Sequence, residues 1–429
     1  MDTPPHPDQD LRPLLAHLRA AHQRQVPDYR QRMDDLQRLG EAVRRHRDEL
    51  VKAVSADFGR RSRHETLAAD VMVTLDEISH LRRNLRRWMR PERRGVNLAF
   101  LPARAEIRRQ PLGVVGIVAP WNYPIQLALI PLADAIAAGN HVMVKPSEHT
   151  PRTSQLLARL LAEVFPAERV AVVQGDAAIG AAFSRLPFDH LLFTGSTTVG
   201  RAVMAAAAPN LVPVTLELGG KSPALVAPDY PIEQAADRIA AGKCFNSGQT
   251  CVAPDYVLVP RAQRDAFVRA YMASVRRRYP NLASNPDYTA IVNPGQAERL
   301  RSWLDDARDR GVGVVQHRPD GDPPPPGVMV QPGLLWYGRA AREHSWIGAE
   351  GGKDNALRIL GRKGRLPVTV RLLDAPMHEF LPSDPEELED EHFMMRVRSD
   401  GGRLSLEQLR TVAQISQEFA RDTADVSDR

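Results

Sequence analysis

Three separated stretches carry side chains that could do covalent chemistry together. Lys243-Cys244-Phe245-Asn246-Ser247-Gly248-Gln249-Thr250-Cys251 holds both cysteines of the chain. Cys244 falls on the apolar side of a helix expected over 232–244 and reads as structural, which leaves Cys251 as the candidate nucleophile. Upstream, Glu217-Leu218-Gly219-Gly220-Lys221 supplies a carboxylate, and Pro120-Trp121-Asn122-Tyr123-Pro124 supplies a side-chain amide between two prolines. A thiol, a carboxylate and an amide N–H form a set suited to acyl chemistry through a thioester. The thiolate attacks a carbonyl carbon, the amide holds the oxyanion, and the carboxylate activates water. Each residue also has a plainer reading, since an asparagine between prolines is an ordinary turn residue.

The elements that must position these groups alternate along the chain. Residues 11–60 read as helices, with Met33, Leu36, Leu39 and Val43 at helical spacing. A second helix is expected over 63–89, with Leu67, Val71, Leu75, Ile78, Leu81 and Leu85 as its apolar stripe and Pro91 beyond its end. Residues 98–118 change character, and 105–118 reads as strands. From there strands at 141–144, 169–174, 190–194 and 212–216 alternate with helices at 153–164, 177–183 and 197–207. Such alternation predicts an α/β fold with a doubly wound parallel sheet, whose ligand site lies at the carboxyl ends of the strands. Further on, 256–259 reads as a strand, and 262–277 and 294–310 as helices. Lys145 and Glu148 follow one strand, and Gly195-Ser196 through Gly200 follows another and opens a helix. Glycines there would let the backbone approach a phosphate, which a helix amino terminus favours. Taken alone, the first is an ordinary surface pair and the second an ordinary strand–helix turn.

Together these motifs resemble the aldehyde dehydrogenase superfamily. Pro120–Pro124, Lys145-Pro146-Ser147-Glu148, Phe193 through Gly200, Glu217–Lys221 and Gly248–Cys251 come in the family's order and at its separations. The short amino-terminal region and Phe100–Arg104 look most like the coniferyl aldehyde dehydrogenase branch. The resemblance spans about residues 11–335. It implies a Rossmann-like dinucleotide-binding domain over 1–216, with an oligomerisation hairpin near 98–118, and a partial α/β catalytic domain over 217–335. It implies Cys251 as nucleophile, Glu217 as general base and Asn122 as oxyanion donor. It implies cofactor contacts from Pro120, Trp121, Lys145, Glu148, Gly195, Ser196, Gly200, Leu218 and Gly219. A carboxylate at Glu148 would accept hydrogen bonds from a ribose 2′-hydroxyl and repel a 2′-phosphate, which favours NAD and leaves NADP open. The implied reaction is oxidation of an aromatic or medium-chain aldehyde to a carboxylate. Trp121 and Phe245 could line an apolar aldehyde funnel or belong to the core.

Composition narrows the class. The chain has 429 residues, 43% of them hydrophobic, which suits two or more globular domains. Its formal charge of +5 is small for this length. The arginines of the first hundred residues read as solvated helix faces rather than a nucleic-acid surface. Two cysteines cannot frame a disulfide scaffold in so long a chain and suit a reducing compartment. The amino terminus lacks the basic and apolar regions of a signal peptide, and no apolar run would span a bilayer. The cytoplasm is the expected location, with no membrane or nucleic-acid partner and no metal site.

Residues 336–429 read as a tail outside the family pattern. The Glu-Glu-x-Phe-Gly-Pro motif, whose glutamate holds the nicotinamide ribose, has no match after Cys251, nor do the family's carboxyl-terminal core and bridging strand. This reads as a truncated catalytic domain and weakens the expectation of a homodimer. Leu366–Pro382 resembles a piece of pyruvate phosphate dikinase, and His392–Gly402 with the run to Arg429 resembles the opening half-module of nitrite and sulfite reductases. No cysteine follows Cys251, so thiolates cannot ligate an iron–sulfur cluster there. Neither activity is carried over. Residues 383–392 read as an acidic linker and 404–419 as a helix. The alternative reading is an inactive composite that at most binds a dinucleotide.

Overall fold

The computed structural model describes residues 10–282, 284–309, 313–316 and 334–337. They fall into two units. The first holds the chain up to Gly219 together with Pro286–Asn293, and the second holds Gly220–Asn285 and the described residues from Pro294 onward. The acidic run 383–392, the helix expected over 404–419 and both tail resemblances lie outside the described residues.

The first unit opens with helices α1 (Arg12–Arg24), α2 (Tyr29–Arg45) and α3 (Arg47–Asp57). Asp28 caps α2 by accepting from Gln31 N at 2.9 Å, which satisfies one of the amides a helix start leaves without a partner. The stripe Leu36, Leu39 and Val43 is buried, as its spacing predicts. The helix expected over 63–89 is interrupted. It runs as α4 (Arg63–Thr66), a π-helical turn at Leu67–Met72 and α5 (Val73–Trp88), and it still buries Val71, Ile78, Leu81 and Leu85. Strand β1 (Glu92–Arg94) pairs antiparallel with β2 (Ala105–Ile107), so this hairpin begins ahead of residue 98, and Leu98–Phe100 forms a 3-10 turn within it.

A five-stranded parallel sheet forms the middle of this unit. Its strands are β3 (Val114–Val118), β4 (His141–Lys145), β5 (Val170–Val172), β6 (His190–Thr194) and β7 (Val214–Glu217), in the spatial order β5-β4-β3-β6-β7. The connections carry α6 (Gln126–Ala137), α7 (Pro151–Val164), α8 (Ala177–Ser184) and α9 (Thr197–Ala207). Successive strand residues face opposite sides. Val115, Ile117, Val142 and Val144 join one core with α2, α3, α5, α6 and α7. Val114, Met143, Leu191 and Phe193 join the other with α1, α8 and α9. The sheet is therefore covered on both faces, and the strand order reverses between β3 and β6, where such sheets bind ligands. Burying each large apolar side chain contributes roughly 1.5–3 kcal/mol, so these two clusters fix the strand ends that carry chemistry.

The arginines are not all solvated. Arg32 and Arg61 are buried, at 7% and 3% exposure. Arg32 donates to Pro27 O at 2.9 Å and Ala137 O at 3.2 Å, tying α2 to the end of α6. The return segment Pro286–Asn293 is stitched to α4 and the residues just before it. Ala290 N donates to Arg60 O at 2.8 Å, and Thr289 Oγ1 donates to Glu65 Oε2 at 2.6 Å.

In the second unit β8 (Ser222–Leu225) pairs parallel with β9 (Pro254–Leu258), with a bulge between Ser222 and Pro223. Helix α10 (Ile232–Cys244) connects them and packs against α11 (Arg264–Arg278). Helix α12 (Pro294–Asp309) follows, and β10 (Gly313–Gln316) pairs antiparallel with β11 (Leu334–Tyr337).

Candidate active site

In the first unit, four strand ends lie at one edge of the sheet. Val118 pairs with Lys145 and with Phe193, and Thr194 pairs with Glu217. The residues that follow these ends are the ones singled out from sequence. Pro120 is buried directly after β3, and Trp121 and Asn122 are half-buried. Trp121 packs against the core, its ring centroid 6.3 Å from that of Phe58. The Asn122 carbonyl accepts from Arg61 Nη1 at 2.6 Å.

Lys145 ends β4 and is 3% exposed. Its ammonium donates to Glu148 Oε2 at 2.7 Å and to Pro146 O at 3.2 Å. Burial pushes the Glu148 carboxyl up, but the bond from Lys145, with its charge, outweighs this and holds the group below the usual carboxylate range. After β6, Ser196 caps α9 by accepting from Val199 N at 3.3 Å, and Gly195 N donates to Glu217 O at 2.9 Å. A methyl group at Gly200 would come within 2.7 Å of Leu218 Cδ2, so glycine lets α9 approach the strand. Glu217 is exposed at the last position of β7. Gly219 has open surroundings among the described residues. The structure thus gathers Gly195, Gly200, Glu217 and Leu218 at one place, with Lys145 and Glu148 on the same sheet edge. The donor set suits a dinucleotide: a carboxylate with its lysine for ribose hydroxyls, and a capped helix start behind a glycine for phosphate.

In the second unit, Cys244 is buried at the end of α10 and Cys251 is exposed. Between them the backbone makes an unusual turn. Asn246 and Ser247 adopt φ of 50° and 52°, and Gly248 follows at 74°. The left-handed region is uncommon for residues other than glycine; asparagine tolerates it, whereas serine is not a residue that favours it. Here Asn246 Nδ2 donates to Gln249 O at 3.2 Å, while Gln249 Nε2 and Gln249 N each donate to Asn246 O at 3.0 Å. Asn246 is fully buried. The turn is knotted on itself and presents Cys251 from a fixed base. Gly220 sits against the Cys251 carbonyl so closely that a Cβ would overlap it. Asp255 reaches Lys221 at 3.4 Å and Lys243 at 3.9 Å, linking the Gly-Gly-Lys segment to the helix that leads into the turn. Burial pushes the Lys243 ammonium down against the pull of Asp255. Among the described residues no group of three or more His, Cys, Asp or Glu is placed to hold a metal ion, and no helix is long and apolar enough to cross a membrane.

Two supporting groups are not legible in the sequence. One is the Asn246–Gln249 knot. The other is the ion pair Arg61–Asp70, at 3.1 Å with both side chains fully buried. Burial pushes the Asp70 carboxyl up, against Arg61 and two backbone amides. The only sequence signal for the pair is a second arginine, at 61, soon after the end of α3.

Residues 16–341 match the aldehyde dehydrogenase family. The chain belongs to that family. Among curated relatives, a probable coniferyl aldehyde dehydrogenase of Pseudomonas aeruginosa is 53% identical over 306 residues, covering 71% of this chain and 64% of that protein. The coniferyl aldehyde dehydrogenase of a Pseudomonas species is 46% identical over 312 residues, covering 72% and 64%. Of solved structures, Staphylococcus aureus AldH in a substrate-bound state aligns with a TM-score of 0.69 at 36% identity, covering 73% of this chain and 68% of that one. An indole-3-acetaldehyde dehydrogenase of P. syringae, in complex with NAD+, aligns with a TM-score of 0.65 at 26% identity, covering 71% and 63%. This aldehyde dehydrogenase family member spans 64% of the length of those two curated relatives. Residues 386–429 match the nitrite/sulfite reductase ferredoxin-like half domain, in agreement with the resemblance noted for the end of the chain.

Proposed function

We propose that this chain oxidises an aldehyde to a carboxylate, with NAD as cofactor and an aromatic aldehyde of the coniferyl type as substrate. The first unit would be the dinucleotide-binding domain and the second the nucleophile-bearing part of the catalytic domain. The observation that carries this reading is Cys251 itself, exposed at the end of a turn whose strained backbone is locked by its own side chains. A fixed and accessible thiol is what a thioester mechanism asks for.

Cys251 attacks the aldehyde carbon as thiolate. The Asn122 amide and the Cys251 backbone N–H donate to the resulting oxyanion; losing one such donor costs about 2.7–4 kcal/mol of barrier. The bound nicotinamide ring supplies the hydride acceptor. Glu217 takes a proton from the water that hydrolyses the thioester. Lys145 and Glu148 would hold the ribose, and the turn Gly195-Ser196 with the start of α9 would hold the phosphates. A thiolate of this kind lasts in a reducing compartment, so we assign the protein to the cytoplasm.

The test mixes the full chain with NAD and coniferyl aldehyde and follows absorbance of reduced nicotinamide. Turnover that disappears in Cys251→Ser supports the proposal. Dinucleotide binding with no turnover would overturn it and favour a non-catalytic binding remnant.

A further inference from the structure

The loop from Ala119 to Ile125 joins β3 to α6 and carries Asn122. Its backbone is pinned at two places by one buried ion pair. Arg61 Nη1 donates to the Asn122 carbonyl at 2.6 Å. Asp70 Oδ1 accepts from Ile125 N at 3.2 Å and Gln126 N at 3.0 Å, amides that open α6, where no side chain of the N-cap residue serves. Arg61 Nη2 donates to Asp70 Oδ2 at 3.1 Å, which closes the frame. The guanidinium carbon lies 4.9 Å from the ring centroids of both Phe58 and Tyr123, so it is held from its faces as well as its edge. Asp70 sits in the π-helical turn, and Thr74 Oγ1 satisfies its carbonyl at 2.7 Å. A π-turn inside an α-helix re-aims side chains and recurs at functional sites.

An ion pair with no solvent exposure gains little stability over well-packed apolar residues of similar volume. Its planar fork does fix geometry, because two donors are directed at two acceptors at once. We infer that Arg61 and Asp70 are positioning residues for oxyanion stabilisation: they hold the Asn122 main chain, and through it the amide, where charge develops. This rests on the proposed role of Asn122.

The test uses an activated ester, 4-nitrophenyl acetate, on the full chain without dinucleotide. The ester acylates Cys251 through a tetrahedral oxyanion and releases nitrophenolate, so the rate reads the thiol and the oxyanion donors with no hydride transfer. Wild type, Asn122→Ala, Arg61→Met, Arg61→Lys and the Arg61→Met/Asn122→Ala double variant are compared for kcat, KM and thermal midpoint. Asn122→Ala is expected to lower kcat about 10²–10³-fold. Arg61→Met is expected to lower kcat about 10–100-fold at unchanged KM, the effect of roughly an ångström of misplacement. Arg61→Lys, which keeps the charge and loses the fork, should fall between, and it carries the test if Arg61→Met does not fold. The double variant should be no slower than Asn122→Ala alone, because both changes remove one interaction. If Asn122→Ala is slow while the folded Arg61 variants run at the wild-type rate, or if the double variant multiplies the two losses, the positioning role is overturned and the proposed function stands. If Asn122→Ala runs at the wild-type rate, the oxyanion assignment falls, and the inference falls with it.

Discussion

Gly220→Ala tests how the Gly-Gly-Lys segment supports the nucleophile. The second glycine faces the Cys251 carbonyl oxygen, and a methyl group would overlap that oxygen and approach the carbonyl carbon to 3.1 Å. Non-bonded carbon contacts settle near 3.5–4.0 Å, so the carbonyl carbon asks for a retreat of about 0.4–0.9 Å and the overlapped oxygen for about 1 Å. The Cys251 side cannot retreat easily, because the Asn246–Gln249 bonds lock the turn and β9 begins at Pro254 in register with Ser222. Overpacking of this kind costs roughly 1–3 kcal/mol of stability. A displacement of about 1 Å at the nucleophile costs on the order of 10²-fold in turnover. The assay pairs aldehyde-dependent reduction of NAD with the rate of Cys251 alkylation by iodoacetamide. Turnover should fall about 100-fold, while alkylation, which needs only an accessible thiol, changes within a few-fold. Gly95→Ala, at a position with open surroundings among the described residues, is the control and should match wild type in both. Undiminished turnover in folded Gly220→Ala would refute the reasoning.

Other outcomes follow from the first unit. His141 is buried in β4, and burial, with the nearby His22 and Arg169 charges, pushes its pKa down to about 4. Because the folded value lies below the unfolded one, the unfolded chain binds the proton first. The contribution is complete above about pH 6.5 and is lost as pH falls toward 4, by up to about 3 kcal/mol. His141→Asn should flatten that part of the pH–stability curve measured by denaturant titration; an unchanged slope would contradict the assignment. Glu148→Gln removes the carboxylate proposed to hold the ribose while leaving Lys145 buried. NAD affinity by calorimetry should fall about 10–100-fold, the loss of a charged hydrogen bond, and discrimination against NADP should shrink. Unaltered affinity for both would remove Glu148 from the cofactor site.

What the sequence made legible follows from how locally each feature is written. The limits of β6, α9 and α10 were readable because apolar runs there end at residues with clear turn chemistry, such as Gly195-Ser196. Helix α6 is not legible in the sequence. It buries Ala128, Leu129, Leu132, Ala133, Ala135, Ile136 and Ala137, so it has no polar face and no periodicity, and Pro131 lies inside it. The motif residues at strand ends were legible as types, and the sheet edge they share follows from the parallel register. The groups that hold them were not. Arg61 is one arginine in an arginine-rich region, and only tertiary packing distinguishes it from exposed neighbours such as Arg63. Its partner Asp70 lies in a π-turn that no spacing rule announces. The left-handed Asn246-Ser247 pair is only half legible, since asparagine tolerates those angles but serine does not favour them, and bonds within the turn stabilise the pair.

The most direct measurement is a single turnover of Glu217→Gln with NAD and an aromatic aldehyde, followed by mass analysis of the quenched protein. Removing the base that activates water should leave one equivalent of reduced nicotinamide formed in a burst. The acyl group should be retained on Cys251 itself, located by fragmentation of the peptide that carries both cysteines. An acyl group found on Cys244, or no burst and no adduct from a folded protein that binds the dinucleotide, would contradict the account.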